Sequence, residues 1–383
     1  MRARCTGGEL TARYIERGLS KLDAKSVAVI FGTRPEAIKL APVIREFPAK
    51  PLIINTAQHR ELLDPLLERM RIEPDVDLDV MRDNQPLSGL TARLIDNLGE
   101  SLRKHRPDAV VVQGDTTTAL CGALAAFYER IPVAHVEAGL RSGVLHDPFP
   151  EELNRRLVTG LTRWHFAPTP RAAEALRSEG VAAEHVEITG NTVIDNLFWV
   201  LDHARGRCAF ATEGRRRVLV TLHRRENQGS RMRAIAGVLA RLAARGDVEI
   251  VLPLHRSPSV REALLPVLEG VSGVTLTEAL DYPDFTATLA GCDLVVTDSG
   301  GVQEEAPSLG KPVVVARETT ERPEAIAAGA AILAGTAPEA LFDIVTSLLD
   351  DAAKYASMAE VVNPFGDGRA ARRVAQRMLA DLG

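Results

Sequence analysis

From Ser26 onward the chain alternates short apolar runs, many of them β-branched, with longer stretches in which apolar positions recur at helical spacing. The runs Val27 to Phe31, Leu52 to Thr56, Ala109 to Gln113 and Pro132 to Val136 come first. The pattern then restarts at Arg217 to Leu222 and continues through Val248 to Leu252, Val274 to Leu276, Leu294 to Thr297 and Pro312 to Ala316. Continuous apolar runs separated by amphipathic helices are the signature of parallel strands covered on both faces. The expected fold class is therefore α/β, with two Rossmann-like, doubly wound domains in succession. Their boundary falls in the helical, arginine-rich stretch around 200 to 215, and no short-period repeat points to a solenoid. Ligands of such sheets bind beyond the carboxyl ends of strands, where nearly every unusual polar cluster of this chain lies. An interdomain cleft is the expected site.

Length supports this division, since 383 residues exceed what one ordinary core organises. With 45% hydrophobic and 25% charged residues and a net charge of −5, the composition is that of a soluble globular protein. No single-sign charge run suits nucleic acid. Cys5, Cys121, Cys208 and Cys292 are scattered without C-x-x-C spacing, which argues against a metal site or a disulfide framework and fits a reducing cytoplasm. Residues 1–25 read as an extension outside the fold: the first ten include basic side chains, but no apolar stretch of signal-peptide length follows. No 18-residue apolar run occurs, so no membrane partner is expected.

The strongest chemical signal is Asp298-Ser-Gly-Gly-Val-Gln-Glu-Glu305, where a strand runs into a new helix through Ser299, Gly300 and Gly301. Glycines let the backbone approach an anion, and the helix N-terminus stabilises its charge, so the segment reads as a diphosphate seat. Glu304 and Glu305, about one turn in, could accept hydrogen bonds from a ribose. The segment is neither a dinucleotide fingerprint nor a Walker A loop, and the alternative is a plain strand-to-helix turn.

Other clusters carry two readings each. Gly32-Thr-Arg-Pro-Glu-Ala-Ile-Lys39 places Arg34 and Lys39 as cations at the mouth of a site, or simply caps a helix with Pro35 and Glu36 in its first turn. Asp115, ending a strand in Gln113-Gly-Asp-Thr-Thr-Thr118, is either functional or the N-cap of the next helix. In His135-Val-Glu-Ala-Gly-Leu-Arg141, Glu137 ends a buried strand, which is costly unless it is functional or paired with Arg141. The loop Asp147-Pro-Phe-Pro-Glu-Glu152 delivers Glu151 and Glu152 to a helix start. Thr221-Leu-His-Arg-Arg-Glu-Asn227 sets His223 beside two arginines, suited to a diphosphate, and Pro253-Leu-His255 repeats the theme more weakly. Arg317 to Glu324 supplies polar side chains over a nucleotide, or an ordinary polar loop.

Taken in order, Gly32-Thr-Arg-Pro-Glu, Gln113-Gly-Asp-Thr-Thr, His135-Val-Glu-Ala-Gly-Leu-Arg, Pro150-Glu-Glu-Leu-Asn-Arg, Thr189-Gly-Asn-Thr-Val-Ile-Asp, His223-Arg-Arg-Glu-Asn and Asp298 to Glu305 closely resemble the bacterial non-hydrolysing UDP-N-acetylglucosamine 2-epimerases. The resemblance spans about Val27 to Arg373. It implies the two-domain fold of B-type glycosyltransferases, divided as 26–205 and 206–362, with 363–383 crossing back to the first domain. It also implies interconversion of UDP-N-acetylglucosamine and UDP-N-acetylmannosamine by a homodimer without a cofactor. By similarity Asp115, Glu137 and Glu151 match the catalytic carboxylates and His223 the diphosphate-contacting histidine. Arg34, Lys39, Ser299, Gly300, Gly301 and Glu305 match substrate contacts, and Phe285 stands where an aromatic packs on uracil. Gln58, His59, Arg224 and His255 fit the site at which a second substrate molecule activates some members, whereas Glu61 and Asn84 stand where activated members carry a glutamine and an arginine.

The chemistry independently favours this activity. The C2 proton of a pyranose has no adjoining carbonyl, so an enzyme must oxidise a neighbouring alcohol or expel the anomeric leaving group. No convincing nicotinamide fingerprint is present, which favours elimination of UDP, with acid–base groups on both faces of the sugar. A hydrolysing relative releasing N-acetylmannosamine, a 2-epimerase of a UDP-diacetamido uronic acid, a glycosyltransferase and a silent nucleotide-sugar binder are the competing expectations.

Overall fold

A computed structural model describes residues 25–383 apart from His59, Asp83 and Asn84, and apart from the side chains of Glu61 and Leu62. The expected extension 1–25, except Lys25, and the expected roles of His59 and Asn84 lie outside the described residues. The first sheet contains β1 (Val27–Phe31), β2 (Leu52–Asn55), β3 (Val76–Asp77), β4 (Ala109–Gln113), β5 (Val133–Val136), β6 (Trp164–Ala167) and β7 (Val186–Ile188). Its order is β3-β2-β1-β4-β5-β6-β7, and every pairing is parallel. The second contains β8 (Arg216–Thr221), β9 (Val248–Pro253), β10 (Val274–Thr277), β11 (Leu294–Thr297), β12 (Val313–Val315) and β13 (Ala331–Leu333), ordered β10-β9-β8-β11-β12-β13 and again parallel throughout. The link between the sheets follows the helix Thr192–His203 and reaches β8 at Arg216.

Each sheet is a two-sided core. Val27, Val29 and Phe31 of β1 face one cluster while Ala28 and Ile30 face the other. In β8 Val218 and Val220 face one layer and Leu219 the opposite one. Full burial of such side chains contributes roughly 1.5–3 kcal/mol each, so both faces must be covered by helices. The last helix, Ala370–Leu382, does not pack on the second sheet. Val374, Ala375 and Met378 join the core cluster of β1, and Asp195 accepts the N–H groups of Ala370 and Ala371 at 3.1 and 2.9 Å.

Strand order reverses between β1 and β4 in the first sheet and between β8 and β11 in the second. These are the switch points at which helices depart to opposite faces and leave a crevice. Gly32, Gly114, His223 and Ser299 lie just beyond those four strands, so the topology converges the sequence motifs on two crevices.

Candidate active site

The turn after β1 is shaped by close approach. A Cβ on Gly32 would stand 1.9 Å from Thr56 Oγ1, so no side chain fits there. Glu36 is fully buried and accepts the N–H groups of Gly32 and Thr33 at 3.0 and 2.8 Å, while Thr116 Oγ1 donates to it at 2.5 Å. Burial pushes its carboxyl up to about 7, against those donors. The motif is thus a capped helix start and also a brace between β1 and the turn after β4. Lys39 is not at a mouth: one helical turn on, it is largely covered and ion-paired with Glu137.

Asp115 does not cap the following helix, because the Thr116 hydroxyl takes Ala119 N at 3.0 Å. Its carboxylate is left to pair with Arg155 at 2.6 Å. His135 holds the turn from below. Its Nε2 meets the Gly114 carbonyl at 2.7 Å, and since a carbonyl only accepts, the proton sits on Nε2. Burial pushes this imidazole down to about 4, so it is neutral.

Glu137 carries a left-handed backbone, φ +65°, uncommon for a side chain of its kind and typical of functional strain. Arg141 is not its partner; that guanidinium binds Glu179 through two contacts of 2.7 Å. Glu137 instead pairs with Lys39 and accepts Asn191 Nδ2 at 3.0 Å. Burial works against its charge, but the cations of Lys39 and Arg322 and these hydrogen bonds outweigh it and hold the carboxyl below its ordinary range. The helix Glu151–Leu161 sorts its two leading acids. Glu152, fully buried, accepts Ser142 N at 2.9 Å and Arg155 at 3.1 Å and so anchors the loop. Glu151 keeps a buried Oε2 with no hydrogen-bond partner among the described residues, the mark of a group held for something else.

On the second sheet Asp298, completely buried at the end of β11, accepts His223 N at 3.0 Å, Arg224 N at 2.9 Å and Asn227 Nδ2 at 3.1 Å. It fixes the loop after β8 against the glycine turn. His223 Nδ1 lies 3.3 Å from it, and its ring stacks on His255 with centroids 5.8 Å apart. Burial pushes the His223 imidazole below its usual range despite Asp298, leaving it neutral. The helix Gly300–Glu305 begins at Ser299, and a Cβ on Gly300 would lie 3.7 Å from both Arg224 Nη2 and Arg322. The glycine turn is therefore flanked by two guanidiniums. Glu304 is paired with Arg322 and accepts Asn191 Nδ2 at 3.1 Å, so it is not free for a ribose. Glu305 accepts the Tyr282 hydroxyl at 2.9 Å, and burial pushes it up to about 7. Arg34 is electrostatically coupled to Glu305, and burial lowers its guanidinium.

Between the halves lies a cavity of about 670 Å³ lined by Arg141, Asp147 and Arg155 from the first and Arg224, Arg317 and Arg322 from the second. Its size suits a ligand larger than an inorganic anion, and its guanidiniums suit a diphosphate. Of the residues expected at an activating site, Arg224 and His255 gather around His223. Gln58 sits at the first sheet, accepting Thr118 Oγ1 at 3.3 Å. Phe285 packs in the second core near the glycine helix. Sequence reading gave no individual role to Asn191, Asp298, Tyr282, Arg155 or Arg322, although all but Tyr282 lie in segments that it singled out.

Two doubly wound sheets that bring a diphosphate-suited glycine turn and partly buried carboxylates together across a cleft define a B-type glycosyltransferase-like nucleotide-sugar enzyme. Comparison with known proteins narrows the class. Residues 44–379 match the family model described as UDP-N-acetylglucosamine 2-epimerase. The chain is 45% identical over 363 residues to the UDP-N-acetylglucosamine 2-epimerase of Yersinia pestis, covering 91% of this chain and 96% of that one. It is 45% identical over 367 residues to that of Escherichia coli K12, with 92% and 98% covered. The crystal structure of the Neisseria meningitidis UDP-GlcNAc 2-epimerase bound to UDP-GlcNAc superposes with a TM-score of 0.84 at 42% identity, covering 93% of this chain and all of that one. The chain belongs to the UDP-N-acetylglucosamine 2-epimerase family and is an epimerase.

Proposed function

We propose that the protein interconverts UDP-N-acetylglucosamine and UDP-N-acetylmannosamine without net hydrolysis. The observation that carries this reading is the pairing across one cleft of a guanidinium-flanked glycine turn with acidic groups at the first sheet's strand ends. A carboxylate takes the C2 proton as the C1–O bond to UDP breaks, leaving 2-acetamidoglucal and UDP. The proton returns from the opposite face, and UDP adds back to C1. Asp115, Glu137 and Glu151 supply the acid–base groups. His223, Arg34, Lys39, Ser299, Gly300 and Gly301 stabilise the charge on departing UDP. Phe285 packs on uracil and Glu305 accepts the ribose hydroxyls. In deuterated water the purified protein incorporates one deuterium at C2 of both sugars. Absence of deuterium at C2 and of the manno sugar sinks the reading, free N-acetylmannosamine with UDP indicates the hydrolysing course, and faster turnover of a UDP-diacetamido uronic acid reassigns the sugar.

If Glu305 binds ribose as a carboxylate, its proton must leave. With the free-state carboxyl at about 7, UDP binding is full above that pH and weakens as pH falls, by up to about tenfold per unit. Titration calorimetry across pH reads this slope against Glu305→Gln; equal slopes remove Glu305 from the ribose contact.

We further propose a cytoplasmic homodimer, activated by substrate at Gln58, His59, Arg224 and His255. The free thiols of Cys121, Cys208 and Cys292 accord with a reducing compartment, and among the described residues no helix is long and apolar enough to cross a membrane. Phe127, Tyr128, Leu153 and Leu157 are exposed on adjoining helices, an apolar face suited to a second copy. A monomer in sedimentation, or hyperbolic kinetics for both sugars, rejects the respective proposal.

A further inference from the structure

Asn191 opens the helix Thr192–His203 and is 2% exposed, with every polar atom of its side chain committed. Its Oδ1 accepts Val193 N at 3.1 Å, which is all that helix capping requires. The amide nitrogen does something else. One contact goes to Glu137 Oε2 at 3.0 Å and the other to Glu304 Oε2 at 3.1 Å. These carboxylates come from different sheets: Glu137 follows β5 and Glu304 lies on the helix after β11.

Two buried carboxylates on one amide repel unless each has a cation beyond it. Lys39 stands behind Glu137 and Arg322 behind Glu304, so an alternating chain of charge and amide runs across the cleft. Asn191 is itself held from a third direction, its N–H reaching the Phe365 carbonyl at 2.6 Å, in the segment leading to the last helix. Glu137 already sits in a strained backbone, and a carboxylate on such a turn keeps one orientation only if its surroundings fix it.

We propose that Asn191 is a positioning residue for the epimerisation: its amide fixes the Glu137 carboxylate for proton transfer and ties that orientation to Glu304 on the second domain. The inference rests on the reading of Glu137 as an acid–base group. Asn191→Asp is the decisive variant, because aspartate caps as well as asparagine but replaces the shared donor with a third negative charge. Turnover falls by about tenfold or more. The acid limb of the kcat profile moves to higher pH, because added negative charge raises the proton affinity of Glu137. UDP affinity stays within about threefold, since the proposed UDP contacts do not include Asn191.

Wild-type kcat with an unmoved acid limb overturns the inference and leaves Asn191 a simple cap. If the aspartate variant fails to fold, shown by lost UDP binding, Asn191→Ser takes its place: its hydroxyl caps but is too short to bridge both carboxylates, and unchanged kcat there overturns the inference equally. Glu137→Gln is measured alongside. Full turnover in it removes the acid–base reading and this inference with it, whereas an inactive Glu137→Gln beside a wild-type Asn191→Asp removes only the role of Asn191.

Discussion

Glu137→Gln lowers turnover of UDP-N-acetylglucosamine by about 10²-fold or more while leaving UDP binding nearly intact, as expected for a lost acid–base group. Asp115→Asn and Glu151→Gln behave alike. The amide preserves shape and hydrogen-bonding reach but cannot exchange a proton with C2. The three positions differ in what else is disturbed. At Glu137 the change leaves Lys39 buried without its counter-ion, so some stability is lost as well. Asp115 is bound by Arg155 at 2.6 Å, and its replacement leaves that guanidinium to Glu152 alone. Glu151 has a carboxylate oxygen without a partner among the described residues, so its amide has least to break. Steady-state kinetics with both sugars, a deuterium wash-in assay and UDP affinity separate proton transfer from binding. Full activity in any one variant takes that residue out of the mechanism.

Arg322→Ala destabilises the fold by about 3 kcal/mol, because it strands Glu304 as a buried carboxylate without its cation. Glu304 is 1% exposed and, among the described residues, keeps one side-chain hydrogen bond, from the neutral Asn191 amide. Truncation also removes one of the two guanidiniums beside Gly300, so UDP affinity falls with stability. Urea denaturation of Arg322→Ala, Glu304→Gln and the double variant tests the origin of the effect. Removing both partners costs less than removing Arg322 alone if the penalty is an unpaired buried charge. A loss below about 1 kcal/mol in Arg322→Ala refutes it.

The long interior strands were legible because burial on both faces leaves unbroken apolar runs. β1, β2, β4, β5, β8, β9, β11 and β12 all sit where such runs occur, whereas the half-exposed edge strand β10 was marked by its β-branched residues. The sequence reading missed β3, β6, β7 and β13. β3 has two residues, β7 and β13 three each, and β6 mixes Trp164, His165 and Phe166 with no β-branched residue, so none carries a periodic signal. The glycine turn and the ends of β1, β4 and β5 were found because glycine and charge interrupt apolar runs there. Partners were the weak point. The structural alternative for Glu137, a pair with Arg141, rests on nearness in sequence alone; the fold supplies Lys39, 98 residues distant, and sends Arg141 to Glu179. Capping, the alternative to a functional Asp115, is performed by the next residue, Thr116. Asn191 acts by bridging elements from both halves, and Arg322 by pairing with Glu304 18 residues away; neither partner can be read from the neighbouring residues.

The docking of Ala370–Leu382 into the core beside β1 has a consequence for how the polypeptide is made. The half encoded first cannot finish its interior when its own strands have left the ribosome, because Val374, Ala375 and Met378 are translated only after every strand of the second sheet. The second half has by then acquired its complete sheet. The earliest-made portion is therefore sealed only after the second sheet has emerged, and a chain stopped short of residue 370 carries an open apolar face over the helices Arg34–Glu46 and Thr192–His203.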